Sequence, residues 1–457
     1  MNIVHVHLQG FYHPSGGIRD GIDTGGQTRV VHELARAQAQ QGHTVTVVTR
    51  LINEAVSGSL ESMLQRQTYQ QGTDAPYFIR RISFGDSLKF IRKEDMYPLA
   101  SLIADAIFNT LSQELEKVDI LISHYADAGL TAEYLKYLLY QQNGRIIPHI
   151  HVPHSMGYAK LKSMPAYSAD EGTSAYNFND RIAAESYIYR HADLLAHSSQ
   201  TQAELGQRYP YCAATTPVLV VCPGYNKSVF YMSPQSKEQR IQQLKASGFT
   251  GLGADDFIIC MAARFVPEKG FSRLISALPY ILKEKPHTKV LIIGGSYTAA
   301  ERALLTALQT QSRMNNSAHI ISWHKGLPQE KLAAVMRNID VFVAARRHEP
   351  FGMASLEALA CGAYCIADKT SGIVEMLPDG MITACNTDNP QALARAIINV
   401  PALRSENVFE PALANYTWDV ICQKFDAAIS TINPRQPYPV STIDYLVNNS
   451  HTIQYGP

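Results

Sequence analysis

The 457-residue sequence has no continuous apolar stretch approaching eighteen residues and no basic segment leading into a short apolar one at its start. Neither a membrane-spanning helix nor a secretory signal is therefore expected. Its seven cysteines are odd in number and contain no C-x-x-C pair, which is the pattern neither of a disulfide framework nor of a zinc site. A reducing, cytoplasmic compartment is the expectation. Net charge is absent as well: forty basic residues balance forty acidic ones, so nothing favours a nucleic acid or an anionic membrane as partner. Any bound anion needs a local site. Fixed-period repeats and low-complexity runs are missing. So is G-x-G-x-x-G, and with it the phosphate fingerprint of a nicotinamide-dependent oxidoreductase.

What the chain does have is alternation. Apolar runs at residues 3–8, 44–49, 118–124, 145–152 and 192–199 end in polar residues or histidines and are separated by helical patterns, as buried parallel strands are. A second series follows at 256–265, 289–296, 318–326, 339–345 and 363–368. The spacing predicts an α/β protein of two Rossmann-like, doubly wound domains facing a central cleft. The expected boundaries are 1–228 for an N-terminal acceptor-side domain and 229–415 for a C-terminal domain. Residues 416–457 are expected to form a helix and tail returning to the first domain, the last twenty-five residues being irregular. Ligands of such sheets bind beyond the carboxyl ends of the strands, which places the expected site in the cleft.

Three segments carry chemistry. In "RRHEPFGMASLEALACG", residues 346–362, Pro350 is placed to begin a helix and Gly362 to end one. Glu349 then lies in the preceding loop and Glu357 inside the helix, while the backbone N–H groups of Phe351, Gly352 and Met353 point toward an anion. Upstream, "ARFVPEKGF" offers Arg264 and Lys269 after a buried strand, two cations suited to gripping a diphosphate as its charge grows. Near the start, "GIDTGGQTRV" places Gly25 and Gly26 between the first strand and the first helix, where glycine admits close backbone approach. Paired carboxylates also suit a glycoside hydrolase, but a hydrolase has no diphosphate for the cations to neutralise. His5 and His7, like His149 and His151, are spaced to share a strand face, and core hydrogen bonding is preferred to metal ligation for them.

"RFVPEKG" followed by "HEPFGMASLEALACG" resembles the donor half of retaining GT-B glycosyltransferases of the sucrose-synthase and sucrose-phosphate-synthase-like family. "DTGGQTRVVHELARA", "FGDSLKFIRKEDMYP", "HYADAG", "PHSMGYAK" and "RIAAE" resemble, in order, segments of sucrose-phosphate and mannosylfructose-phosphate synthases, so the resemblance runs from about residue 2 to about residue 425. It implies transfer of a hexosyl group from a nucleotide sugar to a small polar acceptor, with no metal or other cofactor. UDP-glucose is the first donor, GDP-mannose and ADP-glucose stand behind it, and the acceptor is a sugar phosphate such as fructose 6-phosphate or an unphosphorylated sugar. A non-catalytic sugar-nucleotide-binding protein on the same fold is the remaining alternative.

By the same resemblance, Arg264 and Lys269 stabilise the leaving diphosphate, Glu357 binds the ribose, and Glu349 and His154 lie at the transferred sugar. Gly25 and Gly26 face the diphosphate and acceptor, and Gln27, Lys93, Tyr125, Lys160 and Arg181 hold the acceptor. Asn179 and Asp180 stand where those relatives tend to be more basic, and "TSGIVEML" at 370–377 is closer to the broader family.

Overall fold

The computed structural model describes residues 1–9, 12–13, 17–18, 25–51, 67–69, 77–86, 91–163, 177–209, 216–295, 298–401 and 409–439. Residues 21–24 of the glycine-bearing loop, residues 87–90 of the "FGDSLKFIRKEDMYP" segment, and the tail beyond 439 lie outside them. The chain divides into two units, one of Met1–Val221 rejoined by the chain from Ile421 onward, the other of Cys222–Val420.

The first unit is built on β1 (Asn2–Val6), β2 (Thr44–Arg50), β3 (Gln67–Tyr69), β4 (Tyr77–Ile82), β5 (Ile120–His124), β6 (His149–Val152), β7 (Leu194–His197) and β8 (Val218–Val220). Their spatial order is β8-β7-β6-β5-β1-β2-β4-β3. Every pairing is parallel except that of β3 with β4. The central strands are buried on both faces, all five residues of β5 among them, because helices cover the sheet on each side.

Those helices include α1 (Gly26–Gln40), α2 (Ala100–Leu115), α3 (Ala126–Asn143), α4 (Gly157–Ser163) and α5 (Phe178–His191). Helix α3 is buried nearly all round, and its charged residues are paired accordingly. Lys136 meets Asp193 at 2.6 Å and Glu133 meets His149 at 2.6 Å. Asp193 also accepts the backbone N–H groups of His149 and Arg435, which ties the returning C-terminal segment to this unit.

The second unit contains β9 (Phe257–Ala262), β10 (Thr288–Gly294), β11 (Ile321–Lys325), β12 (Val341–Ala344), β13 (Tyr364–Asp368) and β14 (Ile382–Cys385). All are parallel, in the order β11-β10-β9-β12-β13-β14. Its helices include α6 (Phe271–Glu284), α7 (Ala299–Met314), α8 (Met353–Ala360) and α9 (Pro390–Ile398). Thr298 and Glu301 form a capping box at the start of α7. One core gathers Ile259, Val290, Ile292, Val343 and Ile366 from one face of the sheet with Leu274 and Leu278 of α6. Each sheet reverses its winding once, between β1 and β5 in the first unit and between β9 and β12 in the second. Loops diverge at those points and leave a crevice at the strands' carboxyl ends.

Candidate active site

In the second unit the reversal point brings the loop after β9 against the loop after β12. Gly270 makes this contact possible: its φ of +78° is left-handed, and a Cβ there would lie 2.6 Å from the carbonyl oxygen of Ala345. Arg273 donates to the same carbonyl at 2.7 Å, and Thr387 does so at 3.1 Å. Lys269 is thereby delivered to Glu349, Nζ to Oε2 at 2.7 Å, with an Arg346 guanidinium nitrogen 3.4 Å from Oε1. Burial acts to raise the Glu349 carboxyl, but the charges of Lys269 and Arg346 outweigh it and hold the group below its ordinary range. Burial lowers the Lys269 ammonium from its usual value against the pull of Glu349, with Arg346 and Arg264 contributing in the same downward direction. Arg264 is exposed and has no ion-pair partner among the described residues. Three cations and one carboxylate thus meet within two loops.

Helix α8 begins at Met353, three residues beyond a start at Pro350. The reason lies in the loop's own hydrogen bonds: Gly372 N–H donates to the Glu349 carbonyl, Ile373 N–H to that of Phe351, and the Ser371 hydroxyl to Phe351 as well. These bonds hold residues 349–351 beside the loop that follows β13. Gly352, at φ +117°, then turns the chain into the helix, and no side chain caps it. The first amides of α8 are left for an external acceptor. Glu357 is buried in the second turn, and Phe351 is buried beneath the loop. Asp368, at the end of β13, accepts from the backbone and hydroxyls of Thr370 and Thr387, and Thr370 in turn receives the N–H of His348. Arg346, Asp368 and Thr370 were not singled out by the sequence reading. Adjacency to Glu349 was the available signal for the first; the other two emerge only from contacts between loops.

In the first unit Gly25 caps α1 with an extended backbone and no side-chain cap, so among the described residues no side chain takes the first amides of this helix. Gln27 extends its amide nitrogen to His7 Nδ1 at 3.3 Å and to the His124 carbonyl at 3.5 Å. His154 follows β6 with φ +56°, and Tyr125 follows β5 with φ +77°, two non-glycine residues in the left-handed region at neighbouring strand ends. His154 Nε2 lies 2.9 Å from His124 Nδ1, His124 Nε2 lies 2.9 Å from His5 Nδ1, and His5 Nε2 lies 2.7 Å from Gln38 Oε1. Burial lowers His5 to about 4 and His154 to about 3, and drives His124 well below its usual value with His154 and His5 adding to the effect. All three imidazoles are neutral near pH 7.

The residues assigned to an acceptor divide by exposure. Lys93 and Lys160 are partly exposed, the first lying 5.7 Å from the Tyr125 ring centroid. Arg181 is buried, at 3% exposure, and engaged internally. Its Nε donates to Glu185 at 2.8 Å and its terminal nitrogen to the Ser155 carbonyl at 2.8 Å, while the guanidinium covers Tyr125 at 4.5 Å. Glu185 also receives the Gly157 N–H at 2.9 Å and the Tyr209 hydroxyl. Arg181 therefore braces the turn that carries His154. Burial raises Asp127, in the first turn of α3, to about 7 despite the hydrogen bond from Gln9. The other histidines paired by their spacing are hydrogen-bonded in the core: Ser123 joins His149 and His151 at 2.7 and 2.8 Å, and His7 meets Thr28 at 3.2 Å.

Two largely parallel α/β sheets, the second carrying a cluster of cations and a carboxylate at its reversal point, are the architecture of GT-B glycosyltransferases, and comparison with known proteins agrees. Residues 24–229 match the family model described as Glycosyltransferase Family 4, and residues 243–407 match that described as Glycosyl transferases group 1. The chain belongs to this family of retaining, nucleotide-sugar-dependent glycosyltransferases. It is 26% identical over 383 residues to mannosylfructose-phosphate synthase of Agrobacterium fabrum, covering 83% of this chain and 78% of that one. The structure of sucrose-phosphate synthase from Thermosynechococcus elongatus superposes with a TM-score of 0.74 at 21% identity, over 94% of this chain and 98% of the other. The Anabaena HepE protein in complex with UDP and glucose gives a TM-score of 0.66 at 16% identity, over 94% of this chain and all of the other. Among the described residues, no helix is long and apolar enough to cross a membrane.

Proposed function

We propose that the protein transfers a hexosyl group, glucosyl from UDP-glucose in the first instance, to a small sugar acceptor of the fructose 6-phosphate type. The observation that carries this reading is the Lys269–Glu349–Arg346 cluster beside Arg264 at the reversal point of the second sheet, next to the uncapped start of α8. Glycosyl transfer builds negative charge on the leaving diphosphate, and fixed cations and helix amides lower the barrier by interacting more strongly with that charge than with the ground state. Arg264 and Lys269 take this role, with the amides at Gly352 and Met353 completing the anion site. Glu349 holds hydroxyls of the donor sugar and faces its cationic character as the glycosidic bond lengthens. Glu357 binds the ribose.

His154 contacts the transferred sugar. Gly25, Gly26 and Gln27 approach the diphosphate and acceptor, while Lys93, Tyr125 and Lys160 hold the acceptor. The synthase relatives and the UDP-bound HepE structure support this choice of substrates. An unphosphorylated acceptor is the second reading, favoured by the burial of Arg181 and its engagement with Glu185.

The test is thermal stability against UDP, GDP, ADP and their sugars, followed by turnover of the best donor with and without fructose 6-phosphate. A ligand at a hundred times its Kd stabilises by about 2.7 kcal/mol, so a selective UDP shift is readable. Product formed only with the sugar phosphate supports the full reading. A nucleotide shift with transfer only to an unphosphorylated sugar supports the second. No shift with any nucleotide overturns both.

A further inference from the structure

The hydrogen bonds that end at His154 begin three helical turns into α1, at Gln38. Each link is short; His5 and His124 are fully buried and His154 is partly buried, and desolvation lowers all three rings well below neutrality. A neutral imidazole has one N–H and one bare nitrogen, so it donates on one side and accepts on the other. Three such rings in series must share one direction. The direction is set where the series meets a group that is not an imidazole, and that group is the Gln38 amide.

We infer that Gln38, His5 and His124 are positioning residues that fix which ring nitrogen of His154 carries its proton. Gln38 presents Oε1 to His5, and a carbonyl oxygen only accepts. His5 therefore donates from Nε2 and accepts at Nδ1. His124 donates from Nε2 to His5 and accepts at Nδ1, and His154 donates from Nε2 to His124. His154 is left with a bare Nδ1, a nitrogen with no protein partner among the described residues. It accepts a hydrogen bond from a substrate hydroxyl and donates none. The left-handed backbone at His154 holds the ring at the end of the series, and Arg181, bonded to Ser155, steadies the turn beside it. That the hydroxyl belongs to the transferred sugar rests on the function proposed above; the assignment of the proton does not.

The experiment is nitrogen-15 NMR of histidine-labelled protein, in which the protonated and bare ring nitrogens resonate far apart. The signals are assigned by their loss in His5→Gln, His124→Gln and His154→Gln. Wild type is expected to show Nε2–H on all three rings. Gln38→Met removes the terminal acceptor with little change in volume, and is expected to shift His154 to a mixture of both tautomers. It should also lower kcat about tenfold with a smaller change in donor KM. Gln38→Glu restores an acceptor-only terminus and is expected to return the single tautomer and most of kcat.

Nδ1–H on His154 in wild type overturns the inference, as does a Gln38→Met protein whose His154 tautomer is unchanged. If Gln38→Met does not fold, the wild-type and Gln38→Glu spectra decide the matter by the same criterion. Full turnover by His154→Ala would refute the catalytic placement of His154 and leave the tautomer result standing, so the two failures are distinguishable.

Discussion

Lys269 sits 2.7 Å from Glu349 and is about one-quarter exposed, so its ammonium contributes little to folding and much to any anion placed beside it. Lys269→Ala should lower kcat/KM for the donor by about 100- to 1,000-fold, the usual effect of losing one stabilising contact to charge that develops in the transition state. The melting temperature should move by no more than a few degrees. Steady-state kinetics and a melting curve on the same preparation check both halves, and unchanged turnover would remove Lys269 from the mechanism.

The histidine series makes a prediction of a different kind. His5 and His154 have folded-state values of about 4 and about 3 against an unfolded value near 6.5, so between pH 6.5 and 4 the unfolded chain binds more protons than the folded one. Their contribution to stability must therefore fall as pH falls through that window. Denaturant unfolding at intervals from pH 7 to pH 4.5 should show the loss, and His154→Gln should make the slope shallower; an identical slope would mean that His154 is not held neutral. Arg264, Lys269 and Glu349 were legible in the sequence because each lies in a short loop after a recognisable strand. The series was not, because its members at positions 5, 38, 124 and 154 come from three strand ends and one helix.

At the level of elements, the junction of the loops after β9 and β12 depends on Gly270. Alanine there would place its Cβ 2.6 Å from the Ala345 backbone oxygen in a left-handed conformation, and a backbone oxygen cannot swing aside as a flexible side-chain end can. Gly270→Ala should destabilise the second unit by roughly 1–3 kcal/mol and also depress turnover, because relief of the clash separates Lys269 from Glu349. Chemical denaturation measures the first effect. A variant that unfolds like wild type would show that the loop moves aside freely.

The same element scale explains which strands the sequence announced. β5, β9 and β12 are buried runs of apolar residues bounded by polar ones, and they stand out. Strand β14, at an edge, reads Ile-Thr-Ala-Cys with its middle residues exposed, and β8 has only three residues, none of them buried. Such strands exist because a neighbour offers a hydrogen-bonding edge, a condition that no local pattern contains. The start of α8 shows the same dependence on context. Pro350 is a sound first helical residue by local rules, yet the carbonyls of Glu349 and Phe351 are engaged by amides of residues 372 and 373, and the helix waits until Gly352 turns the chain.

At the scale of the whole molecule, the chain builds two sheets of related design and concentrates the charges suited to a diphosphate on one of them. The loops after β9 and β12 carry Arg264, Lys269, Arg346 and Glu349, whereas the strand ends of the first unit carry neutral histidines, a buried tyrosine and an arginine already engaged by Glu185. This asymmetry predicts where a nucleotide acts. Hydrogen exchange read by mass spectrometry, with and without saturating UDP, should show protection at residues 263–270 and 346–356, since bound phosphate oxygens would occupy the open amides of α8 and hold the Lys269 loop in place. Residues 26–30 at the start of α1 should gain less, because that stretch offers an anion helix amides and no cation except Arg29, at the end of the first turn. Protection confined to the first unit would reverse the assignment of donor and acceptor between the two sheets. Equal protection in both would mean that the phosphates are shared by two helix N-termini, and the cation cluster would then be only one half of the anion site.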